Sequence, residues 1–553
     1  MYLRVKRVRR GERAYEYLQL VKGTRREGKV SQSVVATLGR VEELKRSGEL
    51  DRLAAAFARH DPPLVGVRRE VGPLLVVRHY LERLRLATII DRALPPRGRA
   101  ELSAAELVVV LIANRLAAPA PLYDIAGWAS QAAIHELFGV PGMLLNDDRL
   151  GRALEDFCPV AEHVRGQAAL RAIEEFGVEA GRLHLDLTAL RMEGAYESSS
   201  LVAKGWGGPD RRIFRQVKAL AATTPQGIPL YVRPHSGETA ELTAIGAALE
   251  RLAELLSPGL LVCADSSYGH LRNLCAADEA GLGFVIPLRE ASDFRRTFLE
   301  EVGHDVLRPI RYVSARERHL PASKRTHYRG ALRPFEVVSP QTGRTHRFRV
   351  AYIFSSEEAE ATAQARERGL ERAEEALGRV RNGLGGRYYK TKQAVEAKVA
   401  RILTPGIENL LTVEVGVKGG RPTLSFQRDQ EQIKAASRTD GIYALATNLP
   451  AKSLTAGELL RIYKKQSLVE CAHRNIKGPL KVRPLFLHND DRIEALVSVV
   501  GLALLVFGLI EADLRTALGD QELLPGLLPE GRAARPTGRT GFLTDRACRP
   551  QHR

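Results

Sequence analysis

The stretch RLHLDLTALR, residues 182–191, decides how the rest of the chain is read. It is a short strand in which Leu185 and Leu187 point to one face and Asp186 to the other. Two more strand-like runs follow, VKALAATT (217–224) and IPLYVRP (228–234), joined by the turn PQG. TAELTAIGAALERLAELL (239–256) has the apolar spacing of an amphipathic helix. GLLVCAD (259–265) is an apolar run of the buried-strand type. SYGHLRNLCAADEAG (267–281) reads as a helix closed by Gly281, and GFVIPLR (283–289) as a fifth strand. The order β-β-β-α-β-α-β predicts an α/β unit with a mixed sheet over 181–290.

Outward from this unit the character changes. Residues 1–40 hold three alternating, basic runs, YLRVKRV, AYEYLQLVKG and KVSQSVVATLGR, with glycines at the turns. They predict a small β element. Residues 41–180 are mostly of helical period, as in LLVVRHYLERLRLATII and SAAELVVVLIANRLA. The segment PLYDIAGWASQAAIHELFGVPG fits either a helix-turn-helix or a plain helical bundle. Residues 291–450 contain further strand-like pieces around the charged helical stretch EEAEATAQARERGLERAEEALGRVRNGL. They are expected to form a separate insertion subdomain between two halves of the core, the second half being 451–515. Residues 516–553 have the Pro/Gly/Arg-rich composition of a loose tail.

Composition narrows the function classes. The 553 residues suffice for about two to four domains. The 83 Lys+Arg against 65 Asp+Glu give a net charge of +18, which favours a polyanionic partner, nucleic acid before anionic membrane. The five cysteines show no C-x-x-C pair, as expected of a reduced, cytoplasmic protein without a structural zinc. The longest apolar run, LVSVVGLALLVFGLI (496–510), is short for a membrane span and is expected to be a buried core helix, with no membrane partner.

The segment IYKKQSLVECAHRNIKGPLKVRP (462–484) sets one acid, Glu470, among cations. On a helix, Tyr463, Gln466, Glu470, Arg474 and Lys477 share one side, while Ile462, Leu468, Val469, Ala472 and Ile476 take the other. Alone, Glu470 and Arg474 could be a solvated i,i+4 pair worth about 0.2–0.5 kcal/mol. Likewise Asp265 could simply cap the turn that begins near Ser267. Taken together, two strand-end aspartates and a glutamate on a later helix make a minimal oxygen-ligand set for two Mg²⁺ ions, with Mn²⁺ as a substitute. Without a cation, three converging carboxylates would repel one another strongly.

These residues also carry a resemblance. The chain resembles DDE transposases of the IS-four superfamily, IS-sixteen-thirty-four type, from GKVSQSVVATLG to about residue 512. The superfamily's Y-x2-R-x3-E-x6-K signature appears as Tyr463, Gln466, Glu470 and Lys477, with glutamine where the signature has arginine. LHLDLTALRMEGAYE is similar to the first-Asp strand, and VCADSSYGHLRNL with GLGFVIPL to the second-Asp region. The resemblance implies an RNase H-like α/β catalytic core, interrupted by a strand-containing insertion and preceded by the small β element and a helical N-terminal domain that could bind DNA ends. It implies Asp186, Asp265 and Glu470 as catalytic metal ligands. Tyr463, Lys464, Lys465, Gln466, Arg474, Lys477, Lys481 and Arg483 would then contact double-stranded DNA, with a dimer forming on the DNA and the nucleoid as location. The expected reaction is cutting at the element's terminal repeats and joining of the 3′-hydroxyl ends to target DNA. A metal-dependent endonuclease on the same fold and a catalytically inactive DNA-binding relic are the alternatives.

Overall fold

The structure is a computed structural model. It describes residues 2–10, 13–26, 29–49, 69–94, 101–207, 212–239, 259–289, 293–314, 317–450, 454–464, 487, 489–519, 523–524 and 532–534. The chain divides into two compact units, Met1–Glu70 and Val71–Arg553.

In the first unit, strands β1 (Tyr2–Arg10), β2 (Arg13–Arg26) and β3 (Lys29–Arg40) form an antiparallel meander where the alternating runs predicted it. A short helix, Val41–Arg46, follows and buries Leu44. Arg40 stacks its guanidinium 4.3 Å above the Tyr15 ring and donates to the Tyr17 hydroxyl at 3.1 Å. This joins the end of β3 to β2 with a cation–π contact. The unit runs to Glu70, beyond the element expected to end at residue 40.

The second unit begins with helices. The stretch 74–90, of helical period, is helical in two pieces, Leu74–Arg83 and Leu86–Ala93, with Arg85 left-handed at φ 53°. Leu84 and Leu86 are both fully buried. Two residues apart on one straight helix, they would point about 200° from each other, so the break turns both inward. Ala104–Ala117 is capped by a reciprocal Ser103–Glu106 box and is apolar nearly all round, as a central helix must be. PLYDIAGWASQAAIHELFGVPG gives two short helices, Ile125–Gln131 and Ile134–Phe138. Two longer helices complete the bundle, Asp147–Phe157 and Ala161–Phe176.

The sheet then starts. Its strands are β4 (Arg182–Arg191), β5 (Ala203–Gly207), β6 (Arg212–Thr223), β7 (Pro229–Ser236), β8 (Leu261–Ala264), β9 (Gly283–Pro287), β10 (Arg308–Ile310), β11 (Tyr328–Val338), β12 (Thr345–Ser355) and β15 (Ile442–Thr447). Strands β13 (Leu411–Lys418) and β14 (Arg421–Arg428) form a separate hairpin. The sheet order is β10-β11-β12-β15-β9-β8-β4-β6-β5, with β7 also on β6. The pairs β4/β8 and β8/β9 are parallel and the others antiparallel. All five strands expected in 181–290 are present, and the sheet is mixed. The helix expected over 239–256 lies almost wholly outside the described residues.

The expectation of a separate insertion over 291–450 requires correction. β10, β11, β12 and β15 extend the same ten-stranded sheet past β9. The reason is visible in β9, where Phe284, Val285 and Ile286 are all buried, so its outer edge needs a covering strand, and β15 supplies it. Hydrogen bonds centred on the buried His346 reinforce the joint. His346 on β12 meets Asp278 through Nδ1 at 2.7 Å and Glu279 through Nε2 at 3.1 Å, and Asn448 donates to Asp278 at 2.8 Å. Only 356–440 stands apart, with its own apolar core around Leu370, Leu377, Val395 and Leu424.

The long Asp490–Leu518 helix contains the apolar run 496–510 and is buried from Ile493 to Ile510, save a half-exposed Glu494. By length and composition it could cross a membrane, yet 94% of its most apolar window is buried inside the protein. It lies against the β6–β7 hairpin through two glycines. A Cβ on Gly501 would come 2.9 Å from Val232 Cβ, and one on Gly508 3.0 Å from Ile228 Cα. The expected tail beyond 519 falls almost entirely outside the described residues.

Candidate active site

The parallel register of β4 and β8 matches Leu183 with Val262, His184 with Cys263 and Leu185 with Ala264. Continued by one residue, that register sets Asp186 level with Asp265. Neighbouring strands lie about 4.8 Å apart, so two residues 79 positions apart in sequence become lateral neighbours. The face they occupy follows from alternation. Leu261 and Cys263 belong to the cluster of Val285, Ala351, Ile353 and Leu445 beneath the Ala456–Lys464 helix. Asp265 shares their parity, and Asp186 shares its face because register partners point the same way. Leu183 and Leu185 go to the opposite core. Both aspartates are half-buried.

Asp265 does cap the turn after it. Its Oδ1 accepts from Ser267 N at 2.9 Å and from Ser267 Oγ at 2.5 Å, opening the single turn Ser266–Tyr268. The cap and a metal-binding role are compatible, because both bonds use one oxygen and hold the carboxylate in a defined direction. The turn is pressed against the end of β9: a Cβ on Gly269 would sit 1.8 Å from the Pro287 carbonyl oxygen. Only glycine fits there. Gly269 is not among the residues expected from sequence, although the Ser-Ser-Tyr-Gly run after a strand is a signal that could have found it.

The Ala456–Lys464 helix begins with a Thr455–Glu458 box, in which Thr455 N donates to Glu458 at 2.6 Å and Glu458 N to Thr455 Oγ1 at 3.3 Å. Leu459 and Leu460 are buried on the sheet. The strand registers show where the helix leads. Cys263 pairs with Val285, Pro287 with Leu445 and Leu445 with Ala351, so Asp265, Pro287, Leu445 and Ala351 form one row. Tyr443 stands two residues beyond that row, past the carboxyl end of β9. The last described residue of the helix lies there, with Lys464 Nζ 5.8 Å from the Tyr328 ring centre and 5.9 Å from that of Tyr443. The Tyr463 ring is 6.4 Å from Tyr443, and Tyr312 packs edge-on to Tyr328 at 5.4 Å. Burial pushes the Tyr328 hydroxyl up to about 12 and raises that of Tyr443 as well. The tyrosines near Lys464 are therefore neutral, and its contact with them is cation–π in kind.

The expected site residues thus fall into three groups. Asp186 and Asp265 are adjacent. Tyr463 and Lys464, expected as DNA contacts, are engaged in packing against the tyrosines. Glu470, Lys465, Gln466, Arg474, Lys477, Lys481 and Arg483 lie outside the described residues. Among the described residues no group of three His, Cys, Asp or Glu is arranged to hold a metal ion. Two lateral carboxylates on one face nonetheless suit a hard divalent cation, which prefers oxygen donors.

Comparison with known proteins follows the same geography. Residues 182–506 match the family model described as the transposase DDE domain. Residues 3–64 match the IS1634 family transposase N-terminal domain, and residues 68–163 a domain of unknown function (DUF4277). Among solved structures the chain is similar to a piggyBac transposase synaptic complex with hairpin DNA, determined by cryo-EM. That likeness has a TM-score of 0.38 and 9% identity, covering 88% of this chain and 84% of that one, and carries no inference at that level. Among curated proteins there is no match.

Proposed function

The chain belongs to the DDE transposases, with an N-terminal domain of the IS1634 family, and from that premise we propose that it cuts DNA at the ends of its insertion sequence and joins the freed 3′-hydroxyl ends to target DNA. DDE transposases are DNA-cutting and DNA-joining enzymes that depend on divalent metal. The finer reading concerns how this chain does it.

Asp186, Asp265 and Glu470 are the catalytic set, and they would hold two Mg²⁺ ions. The observation that supports this is the register of β4 and β8, which brings Asp186 and Asp265 level on the face that the Ala456–Lys464 helix covers, the helix that precedes Glu470 in the sequence. The order β7-β6-β4-β8-β9, antiparallel then parallel, supports an RNase H-like core.

When bound, the metal pair supplies charge neutralisation at phosphorus and an acidified water for in-line displacement. The protein's own groups position the reactants. Ser267 orients Asp265 through two hydrogen bonds, so the carboxylate has less freedom to lose when the site assembles. Gly269 keeps that turn against β9. Lys465, Arg474, Lys477, Lys481 and Arg483 bind the phosphodiester backbone largely without regard to sequence, and Gln466 adds a neutral hydrogen-bonding group. Double-stranded DNA, as terminal repeats and as target, is the partner. Two ends must be held together, so the working form is a dimer on DNA, in the cytoplasm at the nucleoid.

The test is to incubate the protein with its own flanking genomic DNA and Mg²⁺ and to map the ends. Cuts at the element's termini followed by joining to a second duplex are expected. Cutting without joining would favour a plain endonuclease, and no metal-dependent nicking at all would contradict the proposal.

A further inference from the structure

We infer that the far end of the 356–440 arm is a second grip on the backbone of duplex DNA, distinct from the acid site and resting on the DNA-joining reading above. The argument starts from how the arm's charge is divided. Residues 376–427 contain nine lysines and arginines against three glutamates. The remainder, 356–375 with 428–440, contains six against ten acids. The contacts show which end is which. At the root, Arg366 binds Asp440 with two hydrogen bonds, at 2.8 and 2.5 Å, where the arm leaves and rejoins the sheet. Ile407 packs on Gly369, and Arg428 bridges Glu367 and Glu374 at 2.8 and 2.9 Å. These fix the base of the β13–β14 hairpin beside the middle of the Ser356–Asn382 helix. That helix starts at the end of β12 and is about 40 Å long. The acids are therefore used at the root, and the excess of cations is carried outward.

At the far end the cations sit on two turns whose left-handed backbone glycine permits. In the first, Gly385 has φ 78°, its N–H donates to the Tyr389 carbonyl at 3.0 Å, and Tyr389 N donates to the Gly386 carbonyl at 3.1 Å. This clamp presents Arg387, Tyr388 and Lys390 to solvent. Tyr388 is 76% exposed, with the Arg387 guanidinium 5.8 Å from its ring centre. The second is the hairpin tip, where Gly419 and Gly420 both have positive φ and Lys418 pairs in register with Arg421. Two exposed cations opposite each other on a strand pair repel, and folding gains nothing from them. A row of phosphates removes that repulsion by taking the place of counterions. Phosphates spaced along a rigid rod suit two fixed cationic tips better than a small anion does, and Tyr388 offers an apolar face to the sugars between them.

The experiment uses the full chain and a duplex carrying the element's end with flanking DNA, titrated at several salt concentrations, beside Mg²⁺-dependent nicking. Replacing Arg387, Lys390, Lys418 and Arg421 by alanine should lower the slope of log K against log[salt] by about 0.9 for each phosphate no longer neutralised. Affinity near physiological salt should fall about 10- to 100-fold, while nicking at saturating DNA persists. The two double variants, one per tip, should each give about half the change, which guards against a folding defect in the quadruple variant. Exchange to lysine at Arg387 and Arg421 should restore the slope. Tyr388→Ser should weaken binding several-fold with the slope unchanged. A wild-type slope in the quadruple variant, with wild-type protein binding and nicking normally, would overturn the arm grip alone. Failure of the wild-type protein to bind or nick DNA would overturn the transposase reading and the grip with it.

Discussion

The sheet around Asp186 and Asp265 and the 356–440 arm are built in opposite ways. The sheet row is covered on both faces, by the helical bundle on one side and the Ala456–Lys464 helix on the other. The arm has a thin core of about one residue per helical turn, and the cations of its far end face water. The first arrangement holds a few groups tightly, as chemistry at phosphorus requires. The second spreads many cations over an exposed surface, as affinity for a polyanion requires. Cleavage should therefore depend on a few residues of the sheet, and binding on many residues outside it.

The largest expected effect breaks chemistry without breaking binding. Glu470→Gln, Asp186→Asn and Asp265→Asn should each reduce Mg²⁺-dependent nicking by roughly three orders of magnitude or more, in keeping with loss of a metal ligand. DNA affinity should hold or rise, because an acid facing the backbone has been neutralised. Gly269→Ala comes next. Its Cβ would overlap the Pro287 carbonyl, so the turn that orients Asp265 must shift. A displacement near 1 Å is expected to cost about 100-fold in rate, readable as a fall in nicking at saturating DNA.

A smaller effect concerns stability. His235 on β7 is kept low, at about 4, first by burial and then by the cations Arg233, Arg165 and Lys218, with Glu162 opposing. Folding therefore holds it neutral, and protonation favours the unfolded chain. This part of the stability is complete above about 6.5 and is lost as pH falls from there toward 4. Melting temperatures across that window should decline, and His235→Gln should flatten the decline. The smallest effect separates Lys464 from its neighbours. If its role is the tyrosine contact, Lys464→Met should cost about 0.5–1 kcal/mol and leave the salt slope unchanged. Lys477→Ala should lower that slope by about 0.9. A lowered slope for Lys464→Met would return it to the DNA contacts.

Much of this organisation is legible in the sequence, because it rests on local pattern. RLHLDLTALR, GLLVCAD and GFVIPLR alternate or run apolar within single strands, and the buried helix at 496–510 announces itself by composition. Strand β5, AKGWG, is not legible, since two glycines in five residues carry no strand signal. Gly205 is there because a Cβ would meet the Gln216 side chain at 2.0 Å, a tertiary reason. The break at Arg85 is hidden for a similar cause, since only packing demands that Leu84 and Leu86 both turn inward. The limits of the insertion cannot be read locally, because β11, β12 and β15 look the same whether they close a sheet of their own or extend another. For the site, the residue types name Asp186 and Asp265, but only the register shows them side by side.

Convergence of the three acids is the central claim, and metal-directed cleavage of the protein itself tests it most directly. Fe²⁺ can replace Mg²⁺ at an oxygen-ligand site, and with ascorbate and peroxide it cuts polypeptide close to where it is bound. The account predicts cuts clustered near residues 186, 265 and 470, suppressed by excess Mg²⁺ and lost together in Asp186→Asn. Cuts near 186 and 265 that never include the region of 470 would contradict it.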